Sequence, residues 1–140
     1  MANTATKGVE GPRAYLNEDP QPFRVERDGG RDLSFQGWKL GESCVDSGRS
    51  PLGFSGVPNK RTCVTIYVTA GGKFIAHVSR GWNGLDEWKD EAGVLDTGEE
   101  LLRYLEESSG GSLGRASRDA WNKACAAYPP LTPLAVETIE

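Results

Sequence analysis

Residues 61–80 constrain the fold more than any other part of the chain, because two alternating runs flank a glycine pair. Apolar and polar residues alternate in RTCVTIYVT and again in KFIAHVSR, which is the period of β-strands with two different faces. If the turn between the strands is three residues long, 70–72, the pairing places apolar side chains on one face and most polar ones on the other. Such a turn requires a positive φ at Gly72. The face toward the core then carries Val64, Ile66, Val68, Phe74, Ala76 and Val78. The opposite face carries Thr65, Tyr67, Ile75, His77 and Ser79.

Weaker patterns predict the remaining β-structure. Alternation across residues 23–35 breaks at Asp-Gly-Gly, which indicates a second hairpin because glycine supplies the positive φ of tight turns. Gly37 interrupts the period, so a β-bulge is expected there. Five Gly or Pro residues between positions 44 and 60 predict a long loop, and a short strand is expected at 87–91.

Two helices are predicted in the C-terminal third. Thr97 and Glu100 have the spacing of a capping box, so the first helix should begin there and end near Ser108. Its buried stripe would consist of Leu101, Leu102 and Leu105. The second helix should cover about 114–128, where a Pro-Pro pair stops it. The final segment, LTPLAVETIE, could form an edge strand or a short helix.

These elements predict an α+β fold, an antiparallel sheet of four to five strands with two C-terminal helices packed on one face. Residues 1–21 are expected to form a flexible polar leader, which Tyr15 and Leu16 could dock, and residues 22–140 a single domain. The chain has no run of roughly 20 apolar residues and no secretory signal at its start. We therefore expect a small soluble protein of the cytoplasm, with no membrane partner.

The cysteines and the glycine pair do not predict a cofactor site. Cys44, Cys63 and Cys125 fit neither a zinc site nor a disulfide framework, so reduced thiols are expected, and a contact between Cys44 and Cys63 is the less favoured alternative. Gly71-Gly72-Lys73 resembles a phosphate-binding loop only in part, because a strand follows it instead of a helix. No metal, no cofactor and no catalytic residue is assigned.

The acidic residues are concentrated in one segment. Positions 83–107 contain nine Asp or Glu against two Lys or Arg, although the net charge of the chain is only −4. Glu106 and Glu107 oppose the dipole at the end of the first predicted helix, so helix stability does not explain them. A solvated helix face is the ordinary interpretation of such a charge run.

From this segment we predict a binding protein that inhibits or regulates a macromolecular partner, such as a nucleic-acid-handling protein. The partner is expected to be a protein with a basic surface. Direct binding of nucleic acid is not expected, because no basic field extends over the chain. The predicted partner-binding residues are Trp82, Asp86, Glu87, Trp88, Asp90, Glu91, Glu99, Glu100, Glu106 and Glu107.

Two alternative functions stay open. The first is a small-molecule or nucleic-acid-binding module that uses the 44–60 loop and the hairpin face away from the core. Its candidate ligand-binding residues are Thr65, Tyr67, His77 and Arg80, and a thin basic patch comprises Arg49, Lys60 and Arg61 around Phe54. The second is an enzyme that uses His77, the single histidine, with Cys44 or Tyr67 nearby. The sequence places no Asp or Glu to orient the imidazole, so an ordinary polar residue is favoured there.

Overall fold

The computed structural model describes residues 11–47, 60–82, 88–111 and 113–135, and predictions that concern other residues lie outside this description. The fold is α+β. Five antiparallel strands lie in the sheet in chain order. They are β1 (Gln21–Val25), β2 (Leu33–Ser47), β3 (Lys60–Thr69), β4 (Phe74–Trp82) and β5 (Trp88–Leu95). Helices α1 (Gly98–Ser108) and α2 (Arg115–Ala127) follow, and a short 3-10 helix covers Pro129–Ala135.

The central hairpin has the predicted register. Val68 pairs with Phe74, Ile66 with Ala76 and Val64 with Val78, and Gly72 has a φ of 94°. These pairs form the floor of the main core, on which Leu101 and Leu105 of α1 and Trp121 of α2 pack. The sheet face that carries them is called the helix face below. Both helices therefore cover the face that the alternation had predicted.

Strand β2 differs from the prediction in two ways. It runs on to Ser47, so the first residues of the predicted 44–60 loop are strand. The bulge lies between Lys39 and Gly41, not at Gly37. Gly37 instead allows a close approach, because a Cβ there would stand 2.2 Å from the carbonyl oxygen of Val68. Positions on both sides of the bulge, Lys39 and Glu42, consequently share one face of the sheet.

The sheet curls until its two ends meet. In the turn after β1, Asp28 donates its backbone N–H to the carbonyl oxygen of Asp90 on β5 at 2.8 Å. A carboxylate oxygen of Asp28 accepts the backbone N–H of Asp90 at 2.9 Å. The curl buries Val25, Tyr67 and Ile75 in a second apolar cluster on the face opposite the helices, the second face. The hairpin face away from the core is therefore covered at Tyr67 and Ile75.

The prediction of reduced thiols is also wrong for two of the three cysteines. Cys44 of β2 stands directly opposite Cys63 of β3, with 4.0 Å between their Cα atoms, and a disulfide joins them. Cys125 on α2 is free, and burial raises the pKa of its thiol. The pairing of Cys44 with Cys63 depends on the register beyond the bulge, which the spacing of cysteines along the chain does not reveal.

Residues that precede β1 lie against the domain. The Trp38 indole N–H donates to the backbone oxygen of Glu18 at 2.8 Å, and Leu16 packs on the main core. The ring of Tyr15 meets the ring of Tyr128 edge to face, with 5.4 Å between centroids. Within the described ranges, no helix combines the length and the apolar character that crossing a membrane requires.

Candidate functional site

Helix α1 carries the acidic surface on the side away from the core. Thr97 is its N-cap, and its hydroxyl oxygen accepts the backbone N–H of Glu100 at 3.1 Å. The Glu100 carboxylate bonds one residue further back than the capping box predicts, accepting the backbone N–H of Asp96 at 3.0 Å. Glu99 and Glu107 are exposed, and Glu106 is half-buried.

The acids near β5 differ from those of α1 in having cationic partners. Carboxylate oxygens of Asp90, Glu91 and Asp96 lie 2.9, 3.7 and 2.6 Å from nitrogens of His77, Arg80 and Lys73 respectively. In the described part of the chain, no glutamate of α1 forms an ion pair. Four carboxylates without an ion pair thus lie on α1, together with one exposed cation, Arg103.

Strand β5 adds exposed apolar groups on the sheet face opposite this helix. Trp88 and Val94 remain 38% and 48% exposed on the second face, while α1 contacts β4 and β5 on the helix face. The Trp88 ring lies over Gly81, where a Cβ would come within 2.4 Å of it. Trp82 ends β4, whereas Asp86 and Glu87 fall outside the described residues. The structure therefore places part of the predicted partner-binding set around one strand.

Tyr104 fixes α1 to β5. Its ring lies on Gly93, where a Cβ would come within 2.7 Å of the ring. Burial, with the charge of Glu91 adding to it, raises the pKa of Tyr104 to about 12. Since the folded pKa exceeds the unfolded one, this group stabilises the fold below about pH 10 and the contribution is lost as pH rises through about 12.

The second face carries a row of polar groups across three strands. Glu42, Thr65 and His77 occupy paired positions on β2, β3 and β4. Thr65 is only 5% exposed, and its hydroxyl lies 3.3 Å from a carboxylate oxygen of Glu42. The hydrogen bond from Lys39, at 3.0 Å, is the main cause that lowers the pKa of Glu42, and the bond from Thr65 and the positive charges of Lys39 and His77 add to it against desolvation.

Sequence reasoning missed the carboxylate that orients His77. Nε2 of the imidazole lies 2.9 Å from a carboxylate oxygen of Asp90, and both side chains are partly buried. The partner comes from β5, whose register could not be read from the chain. A histidine held by a carboxylate can exchange protons or donate a hydrogen bond to a ligand.

The structure does not unite the predicted ligand-binding residues or the proposed enzyme groups. Arg80 has the same strand parity as Val78 and therefore lies on the helix face, away from Thr65 and His77. Alternation alone contained this information. Tyr67 is buried among Phe23 and Phe35, and the disulfide withholds Cys44 as a nucleophile.

The residues described here do not bring three His, Cys, Asp or Glu side chains into a group that could hold a metal ion. Comparisons with protein-family models, with curated proteins and with solved structures find no match to this chain. The geometry of its own surfaces is therefore what supports a function.

Proposed function

We propose that the protein binds a partner protein with a basic surface through α1 and the adjoining edge of β5, and that it regulates this partner. The observation that carries the proposal is the pairing pattern of the acids. Carboxylates on and beside β5 have cationic partners, whereas those of Glu99, Glu106 and Glu107 have none among the described residues. A negative helix surface of this kind favours approach by a positively charged partner.

Apolar contact would supply the affinity that exposed charges lack. Rim charges act chiefly on association rate, whereas buried aromatic anchors carry most of the binding energy of protein interfaces. Trp88 is the aromatic residue available for this role, since it is partly exposed on the last strand of the sheet. Val94, on the same face of β5, extends the apolar contact.

Charge reversal tests the electrostatic part of the proposal. The double variant Glu99→Lys/Glu107→Lys changes two exposed side chains that form no hydrogen bond in the described structure. We expect it to abolish capture of the partner from a lysate of the native host, measured by affinity enrichment and mass spectrometry. Capture by the unaltered protein should weaken as salt rises, because salt screens exposed charges.

The matched control makes the same change of charge elsewhere. Glu18→Lys/Asp19→Lys also reverses two exposed acids, in the segment before β1, whose side chains form no hydrogen bond or ion pair with α1 or β5 in the described structure. A partner lost with both double variants would contradict the proposal, because only net charge would then matter. Trp88→Ala should weaken capture by about 2 kcal/mol, the size of an interface hot spot.

A second candidate function, ligand binding at the polar row of the second face, is supported by the short contact of His77 with Asp90. His77→Ala and Asp90→Asn would each remove one half of this contact. Under this alternative both variants abolish the biological activity while Glu99→Lys/Glu107→Lys preserves it. The opposite pattern supports the acidic surface.

A further inference from the structure

A cavity of about 380 Å³ lies between the end of α1, the start of α2 and three strands. Val45, Thr62 and Arg80 are cross-strand neighbours on the helix face and form its floor. Lys60 precedes Thr62 by two residues and lines the same cavity, as does Arg115 at the first position of α2. Its volume is within the range of small-ligand pockets.

Among the described residues that line this cavity, three are cationic and none is acidic. Arg80 donates to the backbone oxygen of Ser108 and has a carboxylate oxygen of Glu91 at 3.7 Å, so part of its fork of five N–H donors is left for another acceptor. For Lys60 and Arg115 the described structure contains no ion pair. The cavity is therefore positively charged.

Neutral donors line the same cavity. The Ser109 and Ser117 hydroxyls lie 3.3 Å apart, and Ser117 is only 3% exposed. One hydrogen bond between two hydroxyls uses one of their two protons, so a second O–H donor remains beside the cavity. This remaining donor belongs to the buried Ser117 or to the half-buried Ser109, and a bound anion would accept a hydrogen bond from it.

The start of α2 contributes backbone donors to the same place. Gly114 is its N-cap and provides no side-chain acceptor, and the first turn contains no acidic residue. The carbonyl groups at the end of α1 are satisfied by hydrogen bonds from Arg80 and from the amides of Ser109, Gly110 and Gly111. The amides of α2 therefore add to the cations that line the cavity.

We propose that this cavity binds the phosphoryl group of a small molecule. The cavity holds three cations, a spare hydroxyl donor and uncapped backbone amides around one concave space, which suits a compact, multiply charged anion with several acceptor oxygens. Inorganic phosphate and a phosphate monoester present the same group. The cavity adjoins the end of α1, but none of the residues that line it belongs to the acidic surface, so either proposal can fail alone.

The test is a nuclear magnetic resonance titration of the full chain with inorganic phosphate, at constant ionic strength maintained with chloride. We expect saturable shifts of the Arg115, Ala116 and Ser117 amides, with a Kd on the order of 1 mM or tighter. Glycerol phosphate should shift the same amides if a monoester is the natural form. Shifts that grow linearly without saturation, or that chloride reproduces, would overturn the site.

Two variants and one matched control locate the binding. Arg115→Ala should raise the Kd about tenfold or more, because it removes hydrogen bonds to a charged ligand. Arg118→Ala removes an equal charge from the same exposed turn but does not line this cavity, and it should leave the Kd within about twofold. Equal losses in both variants would mean general attraction to a basic surface, and the proposal would be lost.

Gly114→Asp provides the sharper variant. The backbone of Gly114 is extended, and a Cβ there would meet only the Ser109 side chain at ordinary contact distances, so the fold is kept. The new carboxylate would accept the α2 amides itself and exclude phosphate. Retained binding by this variant would contradict the proposal. So would tighter binding of a single-stranded oligonucleotide than of phosphate, with shifts that spread beyond the cavity.

Discussion

The two helices sit on the same face of the same sheet, yet they begin in different ways. Helix α1 is capped by the hydroxyl of Thr97, and Glu99 and Glu100 place negative charge in its first turn. Helix α2 begins after Gly114 with Arg115, without a side-chain cap and without an acid in the first turn. One helix start is satisfied by its own sequence, whereas the other has its donors turned toward a cavity lined with cations.

This difference indicates where backbone amides lack a hydrogen-bond acceptor from the chain itself. Amides at a helix start need an acceptor, and a side chain three residues earlier usually provides it. At the start of α2 no described side chain accepts from the amides, and cationic side chains stand around them. A bound anion would accept from the amides and reduce the repulsion among the cations. The side chains at the start of α1 therefore stabilise the helix itself. At the start of α2, a bound anion would form the most favourable interactions.

The largest expected effects test whether both helices pack equally well on the core. Leu101 of α1 and Trp121 of α2 are buried in the same core. Leu101→Ala should cost about 2–5 kcal/mol and Trp121→Ala about 3–5 kcal/mol, because each leaves a cavity. Urea denaturation measures both. A cost below about 1 kcal/mol at Trp121 would mean that α2 is loosely packed, and fraying would then explain its uncapped start.

Loss of the disulfide should lower the stability of the whole fold, and it should loosen the cavity floor beside α2 more than the start of α1. It joins residues separated by 19 positions, and Val45 and Thr62 beside it form part of the cavity floor. Cys44→Ser/Cys63→Ser should cost about 3 kcal/mol through the freedom gained by the unfolded chain. Thermal unfolding with and without reductant measures this, with the Cys125→Ser variant as control. If hydrogen exchange increased as much around Thr97 as around Val45 and Thr62, the effect would not be local to the cavity floor.

The cap of α1 gives the next effect. Thr97→Ala should destabilise the protein by about 1 kcal/mol, because the Glu100 amide loses its acceptor. Thr97→Ser retains an oxygen acceptor and should restore most of the loss. If Thr97→Ala is as stable as the original in urea denaturation, the cap does not distinguish the two helices.

The corresponding change at α2 should have the opposite sign. Gly114→Asp supplies both a cap and a negative charge among cations, so a gain of about 1 kcal/mol is expected. Gly114→Asn supplies the cap alone and should gain only a few tenths of a kcal/mol. Differential scanning calorimetry compares the three proteins. A destabilising Gly114→Asp would show that the start of α2 does not favour negative charge.

The smallest effects compare the two ends of α1. Glu107→Gln should stabilise the protein by about 0.3–0.5 kcal/mol, because a negative charge at a helix C-terminus opposes the dipole. Glu99→Gln, near the N-terminus, should destabilise it by a similar amount. Both differences should shrink in high salt. If Glu107→Gln also weakens capture of a partner, the unfavourable charge serves binding.

Local patterns predicted those parts of the fold that neighbouring residues decide. The alternation of Val64, Ile66 and Val68 left one clean register for the central hairpin, and it is the register observed. Thr97 and Glu100 predicted the start of α1 because capping involves only residues within one turn. Arg80 was assigned to the wrong face although its parity with Val78 was visible in the sequence.

Contacts between distant segments escaped prediction. The disulfide depends on the bulge near Leu40, which sets Cys44 opposite Cys63. The orientation of His77 depends on β5 bringing Asp90 alongside it. The cationic cavity collects residues from three strands and two helices. Each of these features requires the register of strands that no short pattern specifies, so the candidate sites were less predictable than the elements that carry them.

The bonds between Asp28 and Asp90 have a consequence for the order of folding. The strand pairings of the sheet all join neighbours in the chain, so each hairpin forms by closing a connection of at most 12 residues. The contact of Asp28 with Asp90 spans 62 positions and can form only after the intervening strands have adopted their curl. We expect it to be absent from the transition state, so that Asp28→Ala accelerates unfolding and leaves the folding rate nearly unchanged.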